Sequence, residues 1–227
     1  MSLTLYLHPL ASFCHKVMIA LEEAQLPYSP VIVDFGDPAS ARQVSDHWPV
    51  GKIPLLHDGA GGRHVAETTI ILEYLAQRHP SMAKLWPTDA ETLLEARLWD
   101  RFFDLYVQQP MQKIVIDRIR PPGANDPHGV AEARENLHTA YGMIEEHMTD
   151  REWAVGTAFS IADCAAFPGL FFAGVVEPFP ASATALSAYF ERLLARPSVA
   201  SMLAQAQPYF TMFPYRDAMP ARFLPGA

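Results

Sequence analysis

Hydrophobic positions near the start of the chain alternate. Leu3, Leu5 and Leu7 are separated by Thr4 and Tyr6, the period-two pattern of a half-buried strand, and His8-Pro9 ends it. From Phe13 the spacing lengthens to Phe13, Val17, Ala20, Leu21 and Ala24, the stripe of a helix that must stop before Pro27. Val31-Ile32-Val33 reads as a short buried strand. Asp37 to Trp48 is polar with a weak helical pattern, and Gly51-Lys52-Ile53-Pro54-Leu55-Leu56 opens a further strand. The glycine cluster around Gly59, Gly61 and Gly62 predicts a hairpin loop, with Arg63 to Ala66 as the returning strand. Thr68 to Arg78 is predicted as a helix with Ile71, Leu72 and Leu75 on its inner face.

Past Pro80 the strand signals stop. Thr88-Asp89-Ala90-Glu91 has the form of a capping box, opening a long helix whose apolar face would run through Leu94, Leu98, Phe102 and Leu105. Pro110 should kink or break that helix. Pro121 to Pro127 reads as a loop, followed by a helix from about Val130 to Met148. Ser160-Ile161-Ala162-Asp163 is a second capping box, and the helix it opens (Ala165, Ala166, Phe167, Leu170) is apolar enough to be buried on all sides. Another helix is expected over Ala183 to Ala195, with Pro197 in the first turn of the next. The change of pattern predicts an α/β domain over residues 1–80 and an all-helical domain over residues 88–227.

Composition narrows the classes. Of 227 residues, 50% are hydrophobic and 19% charged, a balance that supports a buried core and excludes disordered, collagenous and disulfide-knot chains. The net charge of −8 is spread along the chain, with no basic stripe of the kind that binds nucleic acid. The apolar run Ala165 to Val176 is interrupted by Pro168, Gly169 and Gly174 and falls short of a bilayer span, so no membrane partner is expected. The start of the sequence lacks the basic and apolar regions of a secretory leader, which predicts a cytoplasmic protein. Cys14 and Cys164 fall in different predicted domains, so a disulfide framework is excluded. With two cysteines and nine scattered histidines no metal is expected.

A strand and proline turn, then Ser12 to Val17 (SFCHKV), Gly51 to Leu55 (GKIPL), Glu67-Thr68 and Ser160 to Asp163, each at a predicted element start, stand in an informative order. Together they resemble the cytosolic glutathione transferases of bacterial type, over nearly the whole chain. The resemblance implies a thioredoxin-like N-terminal domain that binds glutathione and an all-helical C-terminal domain that supplies most of the site for an electrophilic small molecule. It also implies a detoxifying homodimer with glutathione as co-substrate.

A thiol becomes nucleophilic as its thiolate, and lowering its pKa by two units from about 8.5 takes roughly 2.7 kcal/mol of preferential stabilisation. A hydroxyl donor at a helix N-terminus can supply that. Where the family places its activating Ser or Cys this chain has Ala11, so Ser12 is the candidate catalytic hydroxyl, with helix capping as its alternative role. Cys14, in the second cysteine place of a thioredoxin-like pair, is either a buried packing residue or a redox-active thiol. The resemblance further implies that glutathione is bound by Ser12, Phe13, Lys52, Ile53, Pro54, Glu67 and Thr68. Ile53 would pair with the cysteinyl backbone ahead of a cis Pro54, Glu67-Thr68 would hold the γ-glutamyl end, and Lys52 would approach the glycine carboxylate or stay solvated. Arg101 and Tyr106 are candidates for the electrophile site, and Asp100 or Asp104 for reaching across a dimer. Ser160 and Asp163 are assigned to structure. Two other functions remain open: a non-catalytic glutathione-binding or structural protein, suggested by Ala11, and a glutathione-dependent peroxidase or disulfide reductase using Cys14.

Overall fold

The computed structural model describes residues 3–224. The chain forms two compact units, residues 1–86 and 87–227. The first holds β1 (Leu3–Leu7), α1 (Ser12–Glu23), β2 (Ser29–Ile32), α2 (Pro38–Ser45), β3 (Leu55–Asp58), β4 (Arg63–Ala66), α3 (Thr68–Ala76) and the one-turn α4 (Pro80–Ala83). Its sheet has the order β2-β1-β3-β4, with β2 parallel to β1 and the other two pairings antiparallel. This is the α/β thioredoxin-like arrangement expected.

The pleat divides the sheet into two faces. Leu3, Leu5, Leu7, Leu56 and Val65 are all buried on one. On the other, Leu55 packs with Val33 and with Val44 of α2, sealed by Tyr6, Trp48, Ile53 and Ala66. Two expectations change here. Val31-Ile32-Val33 is not a buried strand: β2 lies at the sheet edge and Ile32 is 48% exposed, while Val33 just beyond it is buried. A short apolar run resembles a central strand, but an edge strand has only one neighbour to cover it. The segment after Asp37 is a regular helix, because the Asp37 carboxylate accepts the Ala39 amide and Pro38 supplies a preset first residue.

The second unit is helical throughout its regular structure. Its helices are α5 (Ala90–Phe102), α6 (Gln109–Arg118), α7 (Pro127–Met148), α8 (Ile161–Val176), α9 (Thr184–Leu194) and α10 (Pro197–Ala206), followed by short 3₁₀ turns. Helix α5 is capped by Asp89, which accepts the Thr92 amide, one residue later than the expected box. Its predicted face is only partly buried: Phe102 is buried as expected, but Leu94 and Leu98 are 65% and 63% exposed, and Ala96 and Trp99 are buried in their place. Two apolar stripes compete on this helix, and the aromatic one removes more area from water.

Pro110 does not end the helix. Residues Phe103–Gln108 form a π-helical segment between α5 and α6, so the helical path is continuous. A wide turn ahead of the proline relieves the crowding its ring causes in a regular α-helix. The loop before α7 is shorter than expected, since Asp126 accepts the Gly129 amide and Pro127 begins the helix. Helix α8 runs through Pro168. The lost hydrogen bond and ring clash cost about 3 kcal/mol. Burial of Phe167, Leu170, Phe171 and Phe172, at about 1.5–3 kcal/mol each, outweighs that.

Candidate active site

Strand register assembles the site. Tyr6 near the end of β1 lies opposite Leu55 at the start of β3, and Leu55 in turn lies opposite Ala66 at the end of β4. Three chain segments therefore leave the sheet at the same end: the turn 8–11 leading into Ser12, the Ile53-Pro54 pair leading into Leu55, and Glu67-Thr68 following Ala66. No two of these segments are close in sequence.

The start of α1 has no side-chain cap. Its N-cap, Ala11, is extended (φ −83°, ψ 114°). Ser12 is the first helical residue and not the cap. It is 5% exposed, and its hydroxyl has no hydrogen-bond partner among the described residues. A donor in this position meets the positive end of the helix dipole with nothing of its own to neutralise it. Phe13 beside it is half-buried.

Behind the turn, His15 is wholly buried, and its Nε2 lies 2.6 Å from the Pro9 carbonyl, which ties helix to turn. Burial lowers its pKa to about 4, so the ring is neutral. Cys14 is also wholly buried, and burial pushes its thiol up to about 12. Burial holds a thiol so placed in its protonated form at neutral pH.

The Ile53–Pro54 peptide is cis, and Pro54 is buried. Ile53 packs on the Val33–Val44–Leu55 cluster, which fixes the backbone of this segment. Gly51 before it has φ 67°, a conformation open to glycine at no steric cost. Lys52 is exposed.

Glu67 carries the other backbone signal. It sits at φ 68°, ψ 123° as the N-cap of α3, a region that costs a non-glycine residue about 1–3 kcal/mol. Its side chain does not cap the helix, and Thr68, buried, is the first helical residue. Glu67 is exposed, and the first amides of α3, like those of any helix, have no intrahelical acceptor.

Sequence reasoning missed two contributors, His15 and Lys16. Lys16 is fully buried and donates from Nζ to Thr69 Oγ1 at 3.1 Å, which links α1 to the first turn of α3. A lysine inside an apolar stripe gives that position no signal of its own, although a charge at an inward-facing position could have raised the question.

In the helical unit, Asp100 and Asp104 are both buried and both accept from the Arg101 guanidinium, at 3.1 Å for Asp100. Gln108 donates to Asp104 Oδ1 at 3.2 Å. Both carboxylates are thus held by neighbouring side chains of the same helical path. Arg101 itself is half-exposed and engaged, while Tyr106 is 56% exposed with its ring 5.5 Å from that of Phe102. No group of three or more His, Cys, Asp or Glu among the described residues is placed to hold a metal ion.

Comparison with known proteins decides the family. Residues 11–78 match the model of the glutathione S-transferase N-terminal domain, and residues 106–197 match that of its C-terminal domain. The chain belongs to the glutathione S-transferase family. It is 30% identical to glutathione S-transferase A of Pleuronectes platessa, over 82% of this chain and 84% of that protein. It is 28% identical to FtsZ-localized protein A of Caulobacter vibrioides, over 90% of this chain and 92% of that one. Among solved structures, a glutathione S-transferase of Methylobacterium radiotolerans in complex with glutathione sulfonate superposes with a TM-score of 0.79 at 28% identity. That match covers 89% of this chain and 94% of the other. The transferase family thus supplies the fold and a glutathione-binding precedent.

Proposed function

We propose that this protein is a glutathione transferase that holds glutathione as a thiolate at the start of α1 and transfers it to an electrophilic small molecule. The observation that carries this reading is the convergence of Ser12, Ile53-Pro54 and Glu67-Thr68 at one end of the sheet. Ser12 donates to the sulfur, the Ile53 backbone pairs with the cysteinyl unit, and Glu67 with the α3 amides takes the γ-glutamyl ammonium and carboxylate. Phe13 lies beside the thiol and Lys52 toward the glycine carboxylate. Arg101 and Tyr106 face the electrophile. Catalysis is positioning plus thiolate stabilisation.

Two further parts belong to the proposal. Reduced glutathione is held in the cytoplasm, and the enzyme works there. It acts as a homodimer, since Leu94, Leu98 and Leu105 form an exposed apolar stripe at helical spacing that a second copy would cover.

The test is the pKa of bound glutathione, read by thiolate absorbance in the wild type and in Ser12→Ala. A rise of one to two units with a matching fall in turnover is expected; an unchanged pKa moves activation to backbone amides. A second reading, a glutathione-binding protein without turnover, is favoured by Ala11 alone, which leaves the family's donor position without a hydroxyl. Retention on immobilised glutathione with no turnover of a panel of electrophiles and peroxides would select it.

A further inference from the structure

The helical unit contains a mostly apolar pocket of about 190 Å³, partly open to solvent, between the second half of α8, the face of α9 and the 3₁₀ turn Ala221–Phe223. Its walls are Leu170, Phe171, Val175, Phe179, Phe190 and Phe223. The rings already meet edge to face, Phe171 with Phe223 at 4.9 Å and Phe179 with Phe190 at 5.6 Å. The polar groups at the rim are committed to one another. Glu191 takes two hydrogen bonds from Arg222, at 2.7 and 3.1 Å, and the Ser187 hydroxyl donates to the Ala183 carbonyl at 2.7 Å.

These features define a ligand class. A pocket of this volume with aromatic walls, partly open to solvent, has room for a single ring, which gains dispersion contacts that unfilled space forfeits. Aromatic walls in edge-to-face order offer a guest ring the same geometry. A charged guest finds no partner, because the one ion pair at the mouth neutralises itself. We propose that this cavity is a binding site for an uncharged, single-ring aromatic molecule. Phe223 and Arg222 also line a neighbouring pocket of about 390 Å³ that includes Leu203, Gln207 and Phe210, so removing the Phe223 ring would enlarge the space toward it.

The experiment is ¹⁹F NMR titration of the full chain with fluorobenzene, with S-hexylglutathione in excess so that the thiol site cannot compete. Saturable binding is expected, at least tenfold weaker in Ser187→Leu, which places a larger side chain at the rim of the space, and in Val175→Phe. Val175 is buried and its variant can fail to fold; Ser187, half-buried at the rim, keeps the test decisive. Phe223→Ala should admit fluoronaphthalene where the wild type refuses it. No saturation up to the solubility limit, undiminished binding in folded Ser187→Leu, or equal binding of fluoronaphthalene by both proteins would each overturn the assignment.

Discussion

Two helix starts in this molecule are opposites. Helix α8 begins with a closed N-terminus: the Ser160 hydroxyl accepts the Ala162 amide, and Asp163 accepts from the Ser160 amide, the Ser160 hydroxyl, the Ala154 amide and the Tyr189 hydroxyl. Helix α1 begins with alanine, and the one hydroxyl nearby, Ser12, is uncommitted. Both are buried helix ends with the same dipole. An N-terminus consumed by its own side chains serves the fold, whereas one left open keeps its donors uncommitted, which is what the proposed thiol site requires.

The sharpest break in this contrast comes from the closed end. Asp163→Ala orphans four donors in a fully buried position, and a loss of about 4 kcal/mol in urea unfolding is expected, with glutathione affinity unchanged in whatever fraction folds. At the open end the brace is His15, whose folded pKa of about 4 lies below its unfolded value near 6.5. The unfolded chain therefore takes the proton first. Stability contributed by the neutral ring is complete above pH 6.5 and declines as pH falls toward 4, by roughly 3 kcal/mol in all. His64 adds to the same slope. Its ring stacks on His47 at 3.7 Å and His57 at 4.4 Å, and burial followed by the charges of those two neighbours lowers its pKa. Unfolding free energies between pH 4 and 7 for wild type and His15→Gln measure this. An identical slope in both would remove His15 from the account.

Ser12→Ala should leave stability within about 0.5 kcal/mol of wild type, because the hydroxyl supports nothing internal. It should lower turnover about 100-fold near neutral pH, the effect of losing one donor to a developing anion. An equal loss in Ser160→Ala would erase the proposed distinction between open and closed ends. The smallest effect is expected at α9, whose N-cap Ala183 has no capping side chain. Glu145 of α7 performs the task from outside, accepting the Leu186 amide at 2.7 Å. Glu145→Ala should cost about 1 kcal/mol in chemical denaturation, as other lost caps do.

The closed end was legible in the sequence because a capping box is local: Ser160 and Asp163 stand three residues apart, and the structure gives both the structural role assigned to them. The α/β order, the hairpin at Arg63 to Ala66 and the all-buried α8 were legible for the same reason, since each follows from a short periodic pattern. The open end was only half legible. Ser12 was found through resemblance, but its freedom from capping depends on Ala11 adopting the cap position, a matter of backbone angles. The strain at Glu67 and the bond from Lys16 to Thr69, 53 residues apart, leave no mark on spacing. Helix α5 misled because two apolar stripes shared it, and only tertiary packing selects between them.

The antiparallel run of β3 and β4 has a practical consequence for anyone altering the protein. The hairpin tip Gly59–Gly62 joins the strand ends Asp58 and Arg63, which pair at the opposite end of the sheet from Ile53 and Glu67. Asp58 closes that tip itself, through the Ala60 and Gly61 amides and the Tyr74 hydroxyl. Residues inserted at Gly62, where an added Cβ meets nothing within 4 Å, extend into solvent away from the thiol end. A fluorophore or immobilisation tag grafted there would report on the protein without standing in its ligand's way.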